Sequence, residues 1–252
     1  MIPPVLCYHK VERRRELGVT RLSPRRFAEQ IHALARGGWR GISLTEFAAC
    51  ARGEREPGGR EVLITFDDAY RGLREHAFPV LREAGFHAVC FVITDYVGRL
   101  NRWDVAYGGR RFAHLTWRDI ARWHGDGIAF ESHTGSHPRL PWLDRRRLCG
   151  ELDRSRQAIA DALGVTPVAI AYPFGAATPR EMAAAEQAGY RLGFVLGGRW
   201  TGNPHRIPRQ AVHCWSPKRP GVGLLGPVER LVAAAAGRCA VGTSLWLRLT
   251  ST

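Results

Sequence analysis

Short apolar runs recur along this chain, at residues 4–9, 62–66, 88–93, 128–132, 168–173 and 192–196, and the stretches between them are patterned as helices. The segment 24–36 places Phe27, Ile31 and Leu34 on one face, with Ser23 and Pro24 as a start signal and Gly37-Gly38 as a stop. The segment from Asp144 to Leu163 points Leu148, Leu152 and Ile159 inward and stops at Gly164. Segments 73–84, 117–123 and 179–188 have the same character. Strands alternating with helices require parallel βα units, because a parallel neighbour is reached only through a crossover. The expected architecture is α/β, a (β/α) barrel of parallel strands. In such a barrel the strand C-termini converge on one face, so residues distant in sequence meet there.

The length of 252 residues suits one barrel. Residues 1–216 are expected to form the barrel domain. A Pro/Gly-rich stretch near 217–226 then opens a C-terminal tail, 217–252. With 37 basic and 23 acidic residues the formal net charge is +14, which favours anionic surroundings without identifying them. The runs Arg13-Arg14-Arg15 and Arg145-Arg146-Arg147 read as solvated faces. The six cysteines include no Cys-x-x-Cys pair, so no disulfide framework is legible. The N-terminus has no basic leader and no long apolar stretch follows, so a cytoplasmic location is expected.

Polar signals stand just beyond the apolar runs. Asp67-Asp68 follows the run 62–66, and Ser132-His133-Thr134-Gly135-Ser136-His137 follows 128–132. Adjacent aspartates taken alone are more commonly a helix cap and a first-turn acid than a reacting pair. Two histidines four apart bring their rings to one side of a helical turn. Taken together, one carboxylate and two imidazoles make a three-ligand set for a divalent ion, with a second carboxylate left over as a base. That inventory reads as metal-assisted hydrolysis.

A third signal, Ala171-Tyr172-Pro173-Phe174-Gly175, completes an ordered trio. Thr65-Phe66-Asp67-Asp68, Ser132-His133-x-x-x-His137 and Tyr172-Pro173-Phe174-Gly175 resemble the three motifs of the polysaccharide deacetylases, the carbohydrate esterase 4 or NodB-homology family. The match runs roughly from Val5 to Arg209, and the opening Tyr8-His9 resembles one branch of that family. The resemblance implies a NodB-like fold, a distorted (β/α) barrel of about seven parallel strands, that hydrolyses the acetamide of an N-acetylated sugar. It implies Asp67 as general base, and Asp68, His133 and His137 as ligands of one divalent metal, most often Zn²⁺, with Co²⁺ or Ni²⁺ as alternatives. Tyr172, Pro173 and Phe174 would border the substrate, with the Phe174 amide at the oxyanion.

Two departures accompany the match. The family's third motif usually carries an arginine where Ala171 stands, so a partner for the base is missing or supplied elsewhere. No Leu-x-His follows Leu196, which leaves His9 and His213 as candidates for the protonating acid, His9 favoured by its place at a strand end. Arg209 is a candidate to bring a charge near the site, with a surface arginine as the default reading. Trp103-Asp104 and Trp142 are candidates to line a sugar groove, although tryptophans more commonly fill core. Histidines 32, 76, 87, 114, 124 and 205 have no partner at informative spacing.

The expected partner is an N-acetylated saccharide in a glycan, glycolipid or precursor. The tail around 228–249 mixes apolar residues with Arg230, Arg238 and Arg248, which permits either packing on the barrel or a peripheral position at an anionic inner-membrane surface. No specific nucleic-acid binding is expected, since no element interleaves basic and aromatic residues. The alternative reading is a non-catalytic glycan-binding protein that keeps the deacetylase fold.

Overall fold

The computed structural model describes residues 1–14, 19–103 and 111–216. Its strands are β1 (Val5–Tyr8), β2 (Lys10–Val11), β3 (Arg21–Leu22), β4 (Arg40–Gly41), β5 (Glu61–Phe66), β6 (Ala88–Val92), β7 (Ile128–Ser132), β8 (Ala169–Ala171), β9 (Leu192–Leu196) and β10 (Ile207–Ala211). The helices are α1 (Pro24–Arg36), α2 (Leu44–Ala51), α3 (Gly72–His76), α4 (Phe78–Glu83), α5 (Trp117–His124), α6 (Arg145–Leu163) and α7 (Pro179–Gln187).

Eight strands hydrogen-bond in the order β1-β10-β9-β8-β7-β6-β5-β4, and β1 also pairs with β5. That extra pairing closes a ring of seven parallel strands and leaves β4 against the start of β5, below β1. The expected barrel of about seven parallel strands is therefore what the chain forms. β10 is a strand that the apolar runs do not announce.

Strand alternation sorts the core into an inner and an outer layer. Val5, Leu63, Val89, Phe91, Ala169, Ala171, Leu192, Phe194 and Ile207 fill the barrel, and α2 plugs its lower end with Phe47 and Ala48. The alternate residues Leu6, Tyr8, Val62, Ile64, Phe66, Ala88 and Cys90 face outward onto Phe27, Ile31 and Leu34 of α1 and onto Phe78 and Leu81 of α4. Tyr172 joins a third cluster with Leu152, Met182 and Tyr190, between the barrel and helices α6 and α7.

Helix boundaries follow the sequence signals closely. Ser23 accepts a hydrogen bond from the Arg26 amide at the start of α1, and Asp144 does the same for Arg147 at the start of α6. Gly164 ends α6 at φ 70°. The expected single helix over 73–84 is instead two short ones meeting at Ala77, where Pro79 enters the first turn of the second. Among the described residues no helix is long and apolar enough to cross a membrane. The tail 217–252 and Asp104 lie outside the described residues.

Candidate active site at the barrel rim

All seven barrel strands run the same way, so their C-terminal ends share one rim. Alternation then decides which side chains enter the barrel mouth. On β5 the inward column is Leu63, Thr65 and, one step past the strand, Asp67; on β10 it is Ile207 and Arg209. Arg209 has a fully buried side chain and sits among the rings of Phe91 and Phe194, 5.3 and 5.9 Å from their centroids. It meets Asp67 as a fork, Nη1 to Oδ1 at 2.6 Å and Nη2 to Oδ2 at 2.8 Å. Nη1 also reaches Thr65 Oγ1 at 3.3 Å.

This contact supplies what Ala171 lacks. An arginine from β10 braces Asp67 in place of one on β8, so the reading of Arg209 as a surface residue is corrected. Burial alone would raise the Asp67 pKa, but the Arg209 charge, with His133 and His9 close by, holds it well below the usual carboxylate range. The carboxylate is ionised and fixed in direction.

Beside it, Asp68, His133 and His137 each offer one ligand atom, all within 4.8 Å of one another. His133 Nε2 lies 3.5 Å and His137 Nε2 3.7 Å from Asp68 Oδ1. His133 Nδ1 is 2.7 Å from the Ala171 carbonyl. A carbonyl only accepts, so Nδ1 carries the proton. Burial lowers the pKa of His133, so the ring is neutral and Nε2 is a bare lone pair. That lone pair faces Asp68 at 3.5 Å and Asp67 Oδ2 at 3.9 Å, an arrangement that repels unless a cation stands between them. His137 is likewise held neutral by burial, and its Nδ1 has no hydrogen-bond partner. The donor set, two neutral imidazoles and a carboxylate with an open side, fits a divalent metal such as zinc.

Backbone conformation carries the same message. Among the described residues the non-glycine positions at positive φ are Asp68 (71°), Ala69 (53°), Thr134 (70°), His137 (62°) and Phe174 (59°). Each sits in one of the three rim motifs or next to it, where the surrounding structure imposes a left-handed backbone on side chains that disfavour it. The rings of His133 and His137 meet, 4.7 Å apart, through this loop rather than through the helical turn expected from their spacing.

The remaining sequence candidates divide. His9 follows β1 and points its Nε2 at Asp67 Oδ2, 3.9 Å away, with its side chain 16% exposed. Burial lowers its pKa to about 4. Cys7 lies beneath, its thiol 3.4 Å from the same oxygen. Cys7, His9 and Asp67 also cluster within ligand distance, but Arg209 already occupies both Asp67 oxygens, so this trio is a hydrogen-bonding surround. His213 is buried, its ring packs at a tilt on Trp215 with centroids 4.9 Å apart, and it lies near enough to His9 to act on that ring's charge. Pro173 is buried, and the Phe174 ring stands 4.8 Å from His137. Tyr172 departs from expectation. Alternation on β8 sends its side chain outward into the α6–α7 layer, so it contributes no side chain to the rim.

Trp103 packs against the His137 ring with centroids 3.9 Å apart, while Trp142 is 37% exposed. The spacing of the histidines gave no hint of His114, yet it belongs here. Its Nδ1 donates to the Asp68 carbonyl at 2.6 Å, which leaves Nε2 to accept the Trp103 indole N–H at 3.4 Å. One linkage thus ties the backbone of Asp68 to the ring that backs His137.

Comparison with known proteins agrees with this geometry. The profile of the family described as Polysaccharide deacetylase matches residues 54–193. YxkH of Bacillus subtilis (strain 168), itself assigned to the polysaccharide deacetylases, is 27% identical over 190 residues, 75% of this chain and 63% of that protein. A poly-beta-1,6-N-acetyl-D-glucosamine N-deacetylase of Staphylococcus aureus is 24% identical over 200 residues, again 75% of this chain and 66% of the relative. This chain therefore spans less than two thirds of the length of these relatives. Among solved structures, IcaB from Ammonifex degensii superposes with a TM-score of 0.72 at 26% identity, covering 93% of this chain and 96% of that one. The Streptococcus pyogenes deacetylase PplD, solved with acetate, gives a TM-score of 0.74 at 21% identity over 86% and 95% of the two chains, a likeness of fold. The chain belongs to the polysaccharide deacetylase family.

Proposed function

We propose that this chain is a metal-dependent N-deacetylase that releases acetate from an N-acetylated sugar. The observation that carries the reading is the bare His133 Nε2, aimed at two carboxylates of which one is already neutralised by Arg209. Asp68, His133 and His137 would hold the ion. When bound, it supplies charge to polarise the acetamide carbonyl and to acidify a water.

The protein groups account for the proton movements. Asp67, kept ionised and oriented by Arg209, takes a proton from the attacking water as the new C–O bond forms. The Phe174 amide, in a left-handed turn beside His137, would donate to the developing oxyanion. His9, whose Nε2 lies 3.9 Å from Asp67 Oδ2, relays the proton that Asp67 took from water to the sugar nitrogen as the C–N bond breaks, leaving acetate and an amine. Trp103 excludes water from the back of His137. The non-catalytic reading drew on Ala171 and on the absent Leu-x-His, and Arg209 answers the first of these.

The test is acetate release from N-acetylglucosamine oligomers and precursors with added zinc, cobalt or nickel. Asp67→Asn is expected to lower turnover by about 100- to 10,000-fold while metal content stays near wild type. Near-normal turnover in that variant contradicts the assignment of the base.

A further inference from the structure

A groove of about 650 Å³ opens between the loop that carries His137 and the first turns of α6. Ser136 and Pro138, the two neighbours of His137, form one wall, and Arg146, Arg147, Glu151 and Arg154 form the other. The volume suits a sugar ring with a substituent. Arg146 and Arg147 belong to the run Arg145-Arg146-Arg147, which the sequence alone assigns to a solvated face.

Helix electrostatics argue against that assignment. No acidic residue occupies the first turn of α6, and three cations stand where the helix dipole is positive. They do not stabilise the helix there. Among the described residues neither Arg145 nor Arg146 has a carboxylate partner, and Arg147 has only a loose contact to Asp144 at 3.7 Å, both side chains largely exposed. The acids of the groove are committed elsewhere. Glu151 accepts from the Ser136 amide and from its hydroxyl, both at 2.8 Å, and also pairs with Arg154 at 2.8 Å. Arg154 extends over the Gly135 backbone toward Asp95; a Cβ at Gly135 would lie 2.4 Å from its guanidinium, so glycine is required for that approach. Glu151 therefore pins the His137 loop, and among the described residues the one acid left beside Arg146 and Arg147 is Asp144, a lining residue that caps α6 and stands 3.7 Å from Arg147.

We infer that this groove receives a phosphate carried by the saccharide, so that the chain acts on a phosphate-linked N-acetylated sugar in preference to a neutral polymer. Guanidinium forks match phosphate oxygens in pairs, and here they stand on the wall opposite the neighbours of a proposed metal ligand. This deepens the deacetylase reading and rests on it for the sugar, but not for the anion.

The experiment is calorimetric titration of the full chain with three probes: N-acetylglucosamine 1-phosphate, uridine diphosphate N-acetylglucosamine and the uncharged methyl glycoside of N-acetylglucosamine. Acetate release is read in parallel with added zinc. At least one phosphorylated probe is expected to bind tenfold or more tightly than the methyl glycoside, and the two phosphorylated arms separate a terminal phosphate from an esterified one. The paired change Arg146→Gln and Arg147→Gln is expected to reduce that preference about tenfold. Arg118→Gln with Arg122→Gln, two exposed arginines of α5, is expected to keep it. Equal affinities, no measurable heat from any probe, or equal losses in both paired variants overturn the inference. Phosphate-dependent binding without acetate release would instead count against the deacetylase reading and leave the groove standing.

Discussion

At the scale of single residues, the Arg209–Asp67 pair has the largest consequences. Both side chains are stripped of water, and each is tolerable only because the other is there. Arg209→Leu strands a buried carboxylate and is expected to cost roughly 3–5 kcal/mol in denaturant unfolding, along with the activity. Arg209→Lys keeps the charge and loses the fork, so stability should recover more than turnover does. If Arg209→Leu unfolds like the wild type, the electrostatic account of Asp67 is wrong. His114 acts at the same scale through a different atom. His114→Phe removes the donor to the Asp68 carbonyl, and the expected result is roughly 10- to 100-fold weaker metal binding by calorimetry. Unchanged affinity in that variant would show that the Trp103–His114 linkage does not position Asp68.

At the scale of elements, the rim is assembled by strand alternation, and so its legibility follows from how regular each strand is. The run 62–66 alternates between two apolar layers, and the step past it necessarily turns Asp67 inward. β10 escaped the sequence because Ile207-Pro208-Arg209-Gln210-Ala211 has no apolar run; its inward column is one isoleucine and one arginine, and arginine on a strand reads as surface. Without β10 the source of the brace on Asp67 was invisible. The His133–His137 spacing was legible as a pair but not as a loop, because left-handed Thr134 and His137 leave no mark in residue type. Tyr172 was placed on the wrong side for the opposite reason: motif adjacency suggested the rim, and pleat parity put it outside.

A separate prediction belongs to the far end of β5. Glu61 is held by Arg55 and Arg40 and by the Gly58 amide, and its pKa falls to about 2. The folded value lies below the ordinary 4.5, so its stabilisation is complete above pH 4.5 and is lost as pH falls toward 2. Because Arg40 and Arg55 are 49% and 31% exposed, the effect is discounted to about 1–2 kcal/mol. Glu61→Gln should lower the unfolding free energy by that amount at pH 7 and converge on the wild type near pH 2. A constant gap across that range would contradict the titration.

At the scale of the whole molecule, closing β1 onto β5 is what makes a site from residues 9, 67, 68, 133, 137 and 209. Positive charge is concentrated in places rather than spread: Arg209 is spent inside the barrel, while Arg146 and Arg147 line a groove next to the rim. The barrel thus separates an arginine that fixes the Asp67 carboxylate from arginines that line an open groove. The account as a whole stands on one cation filling the space before His133 Nε2. The direct measurement is a zinc titration of metal-stripped protein, followed by calorimetry and by the shift in melting temperature. The expected result is one ion per chain with a raised melting temperature, kept in Asp67→Asn and lost in Asp68→Ala and His133→Ala. Absence of stoichiometric binding, or binding indifferent to the loss of Asp68 and His133, would contradict it.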